Sequence, residues 1–394
     1  MSPPTAVEII EEGIRNQSIK TNNAVLKEGF AANYIDKLPE HSRKRFERHG
    51  VDLSRGYPER PSHIPIWLDE AAKIHSSRSE YVEKGAKADP EKKALFGAAK
   101  EVINLTKHIG TEIVGLQLAD LNQTQLDELA LLIAERSVVF FRDQDLAPQK
   151  QLEIGKYFGD VEIHPQVPHV PGLPGVSVIW PDFQVFEGRV VNFRKPGGAS
   201  GWHTDLDHLI QSAAITHLHN DEIPAVGGDT SWSSGYGLYD KLSPALQKFL
   251  EGKTAIHRSA HAYLDKNDQF GGPKYIETEH PIVRTHPATG WKAVWVNRAH
   301  TVRIVGLEPA ESAAILNLLY DIIEKNLDIQ VRFRWQPTKE GLGTSALWDN
   351  RITIHNAVGD YSEPRHGTRV SGLGEKPYYD PNSKSRHEAL GLSV

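Results

Sequence analysis

The chain has 394 residues, with 45 Lys and Arg against 51 Asp and Glu, a formal net charge of −6 and no cysteine. The missing thiols exclude disulfides, thiolate nucleophiles, iron-sulfur clusters and Cys-based zinc sites, so any metal must rest on His, Asp or Glu. A mildly acidic balance without clustered Lys and Arg argues against nucleic acid. No apolar run approaches the roughly 18 residues that span a bilayer, so a membrane is discounted and a cytoplasmic protein is expected.

Residues 1–105 read as a charge-rich extension, since the first hundred positions hold 32 charged side chains and the rest roughly 22 per hundred. EHSRKRFERHG (40–50) and KGAKADPEKKA (84–94) show little apolar periodicity and are expected as solvated helices or loops wrapped around something else. The basic cluster Arg43, Lys44, Arg45 and Arg48 is short and flanked by acids, which makes a docking patch the lesser reading.

From Thr111 the texture becomes β-like: TEIVGLQL (111–118), SVVFFRD (137–143) and VSVIW (176–180). Between the first two, NQTQLDELALLIAE repeats Leu126, Leu129 and Ile133 at helical spacing, and a second helix is expected over Gln149 to Phe158. After residue 200 come AAITHLHN, AVWVN and RITIHNAV, with one late helix over Pro309 to Lys325. A Gly- and Asp-rich stretch near His257 to Tyr275 reads as a loop, mobile surface or a lid. The chain carries no internal repeat and no phosphate-loop or dinucleotide fingerprint.

Nineteen histidines make coincidences common. The pattern His-x-Asp occurs at His203-Thr204-Asp205 and at His219-Asn220-Asp221, and either pair could offer an imidazole and a carboxylate on one strand face. RITIHNAV supplies a further imidazole, His355, with Arg351 and Thr353 on its face and Ile352 and Ile354 on the other. Gly359 to Pro364 forms a turn, so the chain is expected to run back beside His355 with Arg365 and Arg369 facing inward. Four residues apart, these arginines lie about 13 Å from each other on an extended strand, which suits two different anions. Two imidazoles, one carboxylate and open positions match the donor set of non-haem Fe(II) oxygenases, with a zinc hydrolase as the rival.

These residues resemble the taurine dioxygenase family of Fe(II)- and 2-oxoglutarate-dependent oxygenases, in its sulfonate- and alkylsulfatase-like branch. The resemblance covers about residues 106–381, through VVFFRDQ (138–144), FGDVEIHP (158–165), WHTD (202–205), GGDTSW (227–232), VRTHP (283–287), WDNRITIH (348–355) and the segment from Asp360 to Lys376. It implies a mainly β double-stranded β-helix, a jelly-roll with helices outside, between the extension and a tail at 382–394. It also implies iron on His203, Asp205 and His355, 2-oxoglutarate on Thr230 and Arg365, and the substrate anion on Arg369 and His164. His219 and Asp221 carry no metal in the family pattern. The cofactors would be Fe(II), 2-oxoglutarate as co-substrate and O2, the products succinate, CO2 and a hydroxylated small anion (sulfonate, sulfate ester or carboxylate), and the assembly a homo-dimer or tetramer.

Two departures bear on the substrate. The family's taurine enzymes have a Tyr three residues after the IHP histidine and an Asn four residues before the first iron histidine, where this chain has Val167 and Ala199. An unpaired amine in a desolvated pocket costs several kcal/mol, so taurine is expected to be a poor substrate. Asp205 stands where halogenating relatives have a small residue, which favours hydroxylation. The alternatives are the same chemistry on an aliphatic amino acid or another secondary metabolite, the zinc hydrolase, and a scaffold whose first hundred residues bind a partner.

Overall fold

The computed structural model describes residues 34–76, 79–186, 189–191, 201–268 and 270–392. Three short helices come first: α1 (Glu40–Arg48), α2 (Leu68–His75) and α3 (Lys93–Ala98). Strands β1 (Glu101–Asn104) and β2 (Thr111–Val114) lead through α4 (Gln123–Arg136) to β3 (Val138–Gln144) and α5 (Pro148–Phe158). Next come β4 (His169–Val170), β5 (Leu173–Ile179) and the small hairpin of β6 (Gln184–Phe186) and β7 (Arg189–Val191). Then β8 (Ala213–Glu222) and β9 (Thr230–Ser234) are followed by α6 (Gly235–Asp240), α7 (Pro244–Leu250) and the hairpin of β10 (Thr254–Tyr263) and β11 (Lys274–Pro281). The pair β12 (Val283–Thr285) and β13 (Lys292–Val294) precedes β14 (Thr301–Ile304) and α8 (Pro309–Lys325). The chain closes with β15 (Gln330–Phe333), β16 (Gly343–Asp349), β17 (Thr353–Ala357), β18 (His366–Leu373) and α9 (Arg386–Leu390).

The long helices start where local chemistry dictates. Asn122 accepts from the Gln125 N–H while the Gln125 side chain returns to the Asn122 N–H, a reciprocal cap on α4. Glu308 and Glu311 do the same for α8, with Pro309 in its first turn. The unbroken apolar run of β3 reflects burial on both faces: Val138 and Phe140 point between the sheets, Val139 and Phe141 toward helices.

Two sheets form the sandwich, and the double-stranded β-helix expected from the resemblance is the observed architecture. The larger sheet runs β1-β2-β3-β16-β8-β18-β5-β4, and the smaller runs β15-β9-β17. Between them Phe140 stacks on Phe333 at 3.8 Å, and Trp232 meets Trp348 at 5.8 Å. Outside the large sheet, Leu129 and Ile133 of α4 and Ile154 and Phe158 of α5 cover Val139, Phe141, Ile215 and Leu347. Each such side chain contributes about 1.5–3 kcal/mol when fully buried.

Three expectations are corrected. Residues 40–48 are helical, but the helix is not a solvated one: Arg45 and Phe46 are fully buried, and Phe46 joins Leu38, Val51 and Tyr57 in a core with Val176, Trp180 and Val370. Charge counting missed this because a buried cation looks solvated until its partner is known. The turn after His355 does not make a hairpin. β17 pairs with β9 in the small sheet, whereas β18 crosses to the large sheet and pairs with β8 and β5. Finally, 257–275 is not one loop, because residues 257–263 and 274–275 belong to the paired strands β10 and β11.

Candidate active site

Backbone pairing assembles the centre. The His203 N–H donates to the His355 carbonyl at 3.0 Å, and the His355 N–H returns to His203 at 2.8 Å, which sets the two imidazoles 4.2 Å apart. Asp205 follows in a turn, where its N–H donates to Asn350 Oδ1 at 3.2 Å. Asn350 is itself fixed, donating to Thr216 Oγ1 at 2.8 Å and accepting from Trp348 Nε1 at 3.0 Å. Asp205 Oδ1 lies 3.8 Å from His203 Nε2 and 4.0 Å from His355 Nε2, and the three donor atoms fall within 4.8 Å of one another.

This donor set fits a divalent metal. His203 Nδ1 donates to the Gly201 carbonyl at 2.8 Å, which leaves Nε2 as a lone pair aimed at the other two donors. Burial, then the neighbouring His203, push His355 down to about 3, and burial lowers His203 as well, so both rings are neutral at physiological pH. Burial alone would raise the Asp205 carboxyl, but Arg369, His355 and His203 together hold it at about 2. Arg369 Nη1 donates to Asp205 Oδ1 at 3.1 Å.

Arg365 and Arg369 share a face, as their parity required, and line one cavity of about 260 Å³ with His203, His355 and Thr230. The apolar walls include Ile179, Leu218, Trp232 and Trp348. Arg365 is buried beside Trp335 and donates to the Gly228 carbonyl at 2.8 Å. Gly227 and Gly228 adopt φ of +80° and +70°, and a Cβ on Gly227 would lie 2.7 Å from the Asp360 carbonyl, so this turn into β9 requires glycine. Thr230 follows, with its Oγ1 accepting from Trp335 Nε1 at 3.0 Å.

His164 is not among the residues that line this cavity, but it lies within electrostatic reach of Arg369. Its Nδ1 accepts from the Gln166 and Val167 N–H groups at 3.1 and 3.2 Å, so Nε2 carries the proton. Burial first, then His261 and Arg369, keep its pKa well below the ordinary range. Ala199 lies outside the described residues.

Other expectations resolve differently. His219 Nδ1 lies 2.9 Å from Ser345 Oγ, and Asp221 pairs with Arg45 at 2.9 Å, both fully buried away from the centre. Arg351 does not share His355's outlook, because it is buried against Asp349, Glu83 and Glu375 just before β17 begins. Reasoning from sequence missed Glu162, which lines a second cavity with His75 and Gln211; its Oε1 has no hydrogen-bond partner among the described residues, and burial raises its pKa to about 7, with Arg369 opposing. Its i, i+2 spacing from His164 was the available signal. It also missed His300, 2.9 Å from Asp207 and 6.2 Å from the His203 ring, for which no local pattern existed.

The pattern that describes the taurine catabolism dioxygenase TauD, TfdA family matches residues 101–371. An alpha-ketoglutarate-dependent sulfonate dioxygenase of Saccharomyces cerevisiae is 34% identical over 396 residues, covering 95% of this chain and 91% of that one. An alkylsulfatase of Acinetobacter baylyi is 31% identical over 292 residues, covering 69% of this chain and 84% of that one. Among solved structures, a taurine dioxygenase from Burkholderia xenovorans superposes with a TM-score of 0.58 at 30% identity, over 72% of this chain and 93% of that one.

Proposed function

Because the chain belongs to the taurine catabolism dioxygenase TauD, TfdA family and is an alpha-ketoglutarate-dependent dioxygenase, we propose that it hydroxylates a small sulfonate or sulfate ester at the carbon next to the sulfur-bearing group. The relatives named for sulfonate and alkylsulfate chemistry support this substrate class. The observation that carries the reading is the single cavity in which His203, His355, Thr230, Arg365 and Arg369 converge beside Asp205.

His203, Asp205 and His355 would hold Fe(II). When bound, the metal supplies the O2 chemistry that couples decarboxylation of 2-oxoglutarate, to succinate and CO2, with hydroxylation of the substrate. The protein's part is positioning. Arg365, steadied by the Gly228 carbonyl, offers its remaining N–H groups to the far carboxylate of 2-oxoglutarate, and Thr230 supplies a hydroxyl beside it. Arg369 rests on Asp205, so an arriving sulfonate competes for that guanidinium while His164 donates from Nε2. The apolar walls exclude water and strengthen both contacts. An alcohol on a carbon that bears sulfonate or sulfate collapses to an aldehyde with release of sulfite or sulfate.

A second reading, an amino-bearing sulfonate, is favoured by Glu162, whose unpartnered oxygen could receive an ammonium that Val167 cannot. Anaerobic titration of the apoprotein with Fe(II) and 2-oxoglutarate should give a visible charge-transfer band that shifts with the right anion and is absent in His203→Ala. Aerobic assays then quantify succinate and sulfite. Taurine outperforming a simple alkyl sulfonate, with the advantage lost in Glu162→Gln, would select the second reading. No band with metal-loaded protein would overturn both.

A further inference from the structure

We propose that Arg45 and Tyr57, which precede the family-matched region, are positioning residues that set the depth of β18 and thereby aim Arg365 and Arg369; this rests on the anion-binding roles proposed above for those arginines.

Strand β18 and the residue that leads into it have two faces. Arg365 and Arg369 open into the cavity, and His366 and Thr368 alternate with them on the back. The back face is clamped. His366 Nδ1 lies 2.7 Å from Asp221 Oδ1, which makes Nδ1 the donor and leaves Nε2 to accept from Tyr57 Oη at 2.6 Å. Arg45 Nη1 donates both to Asp221 Oδ2 at 2.9 Å and to Thr368 Oγ1 at 3.0 Å. The remainder of its guanidinium donates to the Leu146 carbonyl at 2.8 Å and to Gln151 Oε1 at 3.3 Å. Ser42 completes Asp221 at 2.8 Å, and Gln151 accepts from Thr368 Oγ1 at 2.6 Å. Arg45, Asp221, His366 and Thr368 are all buried to within 1%.

In-plane pairing with β8 and β5 fixes where β18 sits within its sheet, but not how far it stands toward the cavity. That perpendicular coordinate is decided by what presses on the back: Gln151 and Gly155 of α5 against Thr368 and Val370, and, beside them, Arg45 of α1 against Thr368 and Tyr57 against His366. One clamped residue adjoins each arginine: His366 follows Arg365, and Thr368 precedes Arg369. Because chemistry in such sites is sensitive to displacements of about 1 Å, a group that never touches the cavity governs both anion contacts at once.

The test uses the full-length protein and two mild variants, Tyr57→Phe and Arg45→Lys, the second keeping a charge for Asp221 but losing the fork. Leu95→Ala is the control, an N-terminal core residue packed with α4 rather than β18. Three quantities are read: the dissociation constant of 2-oxoglutarate from pocket tryptophan fluorescence, the KM values for 2-oxoglutarate and an alkyl sulfonate, and succinate formed per sulfite released. The expected result is a roughly 5- to 20-fold rise in both KM values and in the 2-oxoglutarate dissociation constant for both variants. Their kcat should stay within about threefold, and succinate should exceed sulfite. Leu95→Ala should lower Tm without these changes. Unchanged KM values in variants with lowered Tm, or an equal rise in Leu95→Ala, overturn the proposal. Wild-type protein that shows no 2-oxoglutarate-dependent quenching sinks the anion-site reading beneath it, a distinct failure.

Discussion

Two His-x-Asp pairs stand sixteen residues apart in this chain and have opposite fates. His203 and Asp205 sit where a bridge gives way to a turn, and their donor atoms face His355 across open space. His219 and Asp221 sit inside β8, where Ser345 engages His219 Nδ1 and Arg45, Ser42 and His366 engage both Asp221 oxygens. The first pair converges on a third donor; in the second the carboxylate is held by Arg45, Ser42 and His366, and His219 Nε2, though unpartnered, belongs to no cluster of three donors among the described residues. Identical spacing yields an open donor cluster or a structural lock according to what the neighbouring strands bring.

Breaking each pair should separate the two roles. Asp205→Ala is expected to abolish 2-oxoglutarate-dependent sulfite release by at least about 10³-fold, as loss of one member of a unit does, while Tm changes little. Asp221→Ala should do the reverse: it strands Arg45 as a buried unpaired cation and costs about 3–5 kcal/mol, read as a lowered urea midpoint with kcat per folded molecule largely kept. Equal loss of activity at unchanged stability in both would end the distinction.

Smaller effects sharpen the contrast. Arg365→Lys keeps the charge and loses the two-pronged grip, so KM for 2-oxoglutarate should rise about tenfold, roughly 1.4 kcal/mol, with the sulfonate KM nearly unchanged. An equal rise in both would mean that the two arginines do not serve separate anions. The smallest effect concerns pH. Glu162 has a folded pKa raised to about 7, so its stability contribution is full below the ordinary carboxyl range and is lost as pH rises through about 7. Metal-free wild type should therefore lose Tm between about pH 4.5 and 7, and level off above that, relative to Glu162→Gln. Parallel Tm profiles would show that burial does not hold its proton.

Much of this was legible in order along the chain. α4, α5 and α8 appeared within a residue or two of where periodicity and capping put them, because those signals are local. His355, Arg365 and Arg369 were found through strand parity and through resemblance, and all three line the cavity. The solvated reading of residues 40–50 failed at Arg45, whose partner Asp221 lies 176 residues away. The hairpin expected after His355 failed because turn residues say that a chain reverses, not which sheet receives it.

The sequence by itself determined the donor types, since a chain without cysteine must build its metal site from imidazole and carboxylate, and it determined the helices and strands through short-range pattern. Tertiary structure alone decided which His-x-Asp pair stays open, which arginines share a cavity, and that an N-terminal helix stands behind the strand that aims them. Those outcomes depend on contacts between residues up to 323 positions apart, as between Arg45 and Thr368. Neither spacing nor composition carries that information, because burial and pairing are properties of the neighbours rather than of the residue.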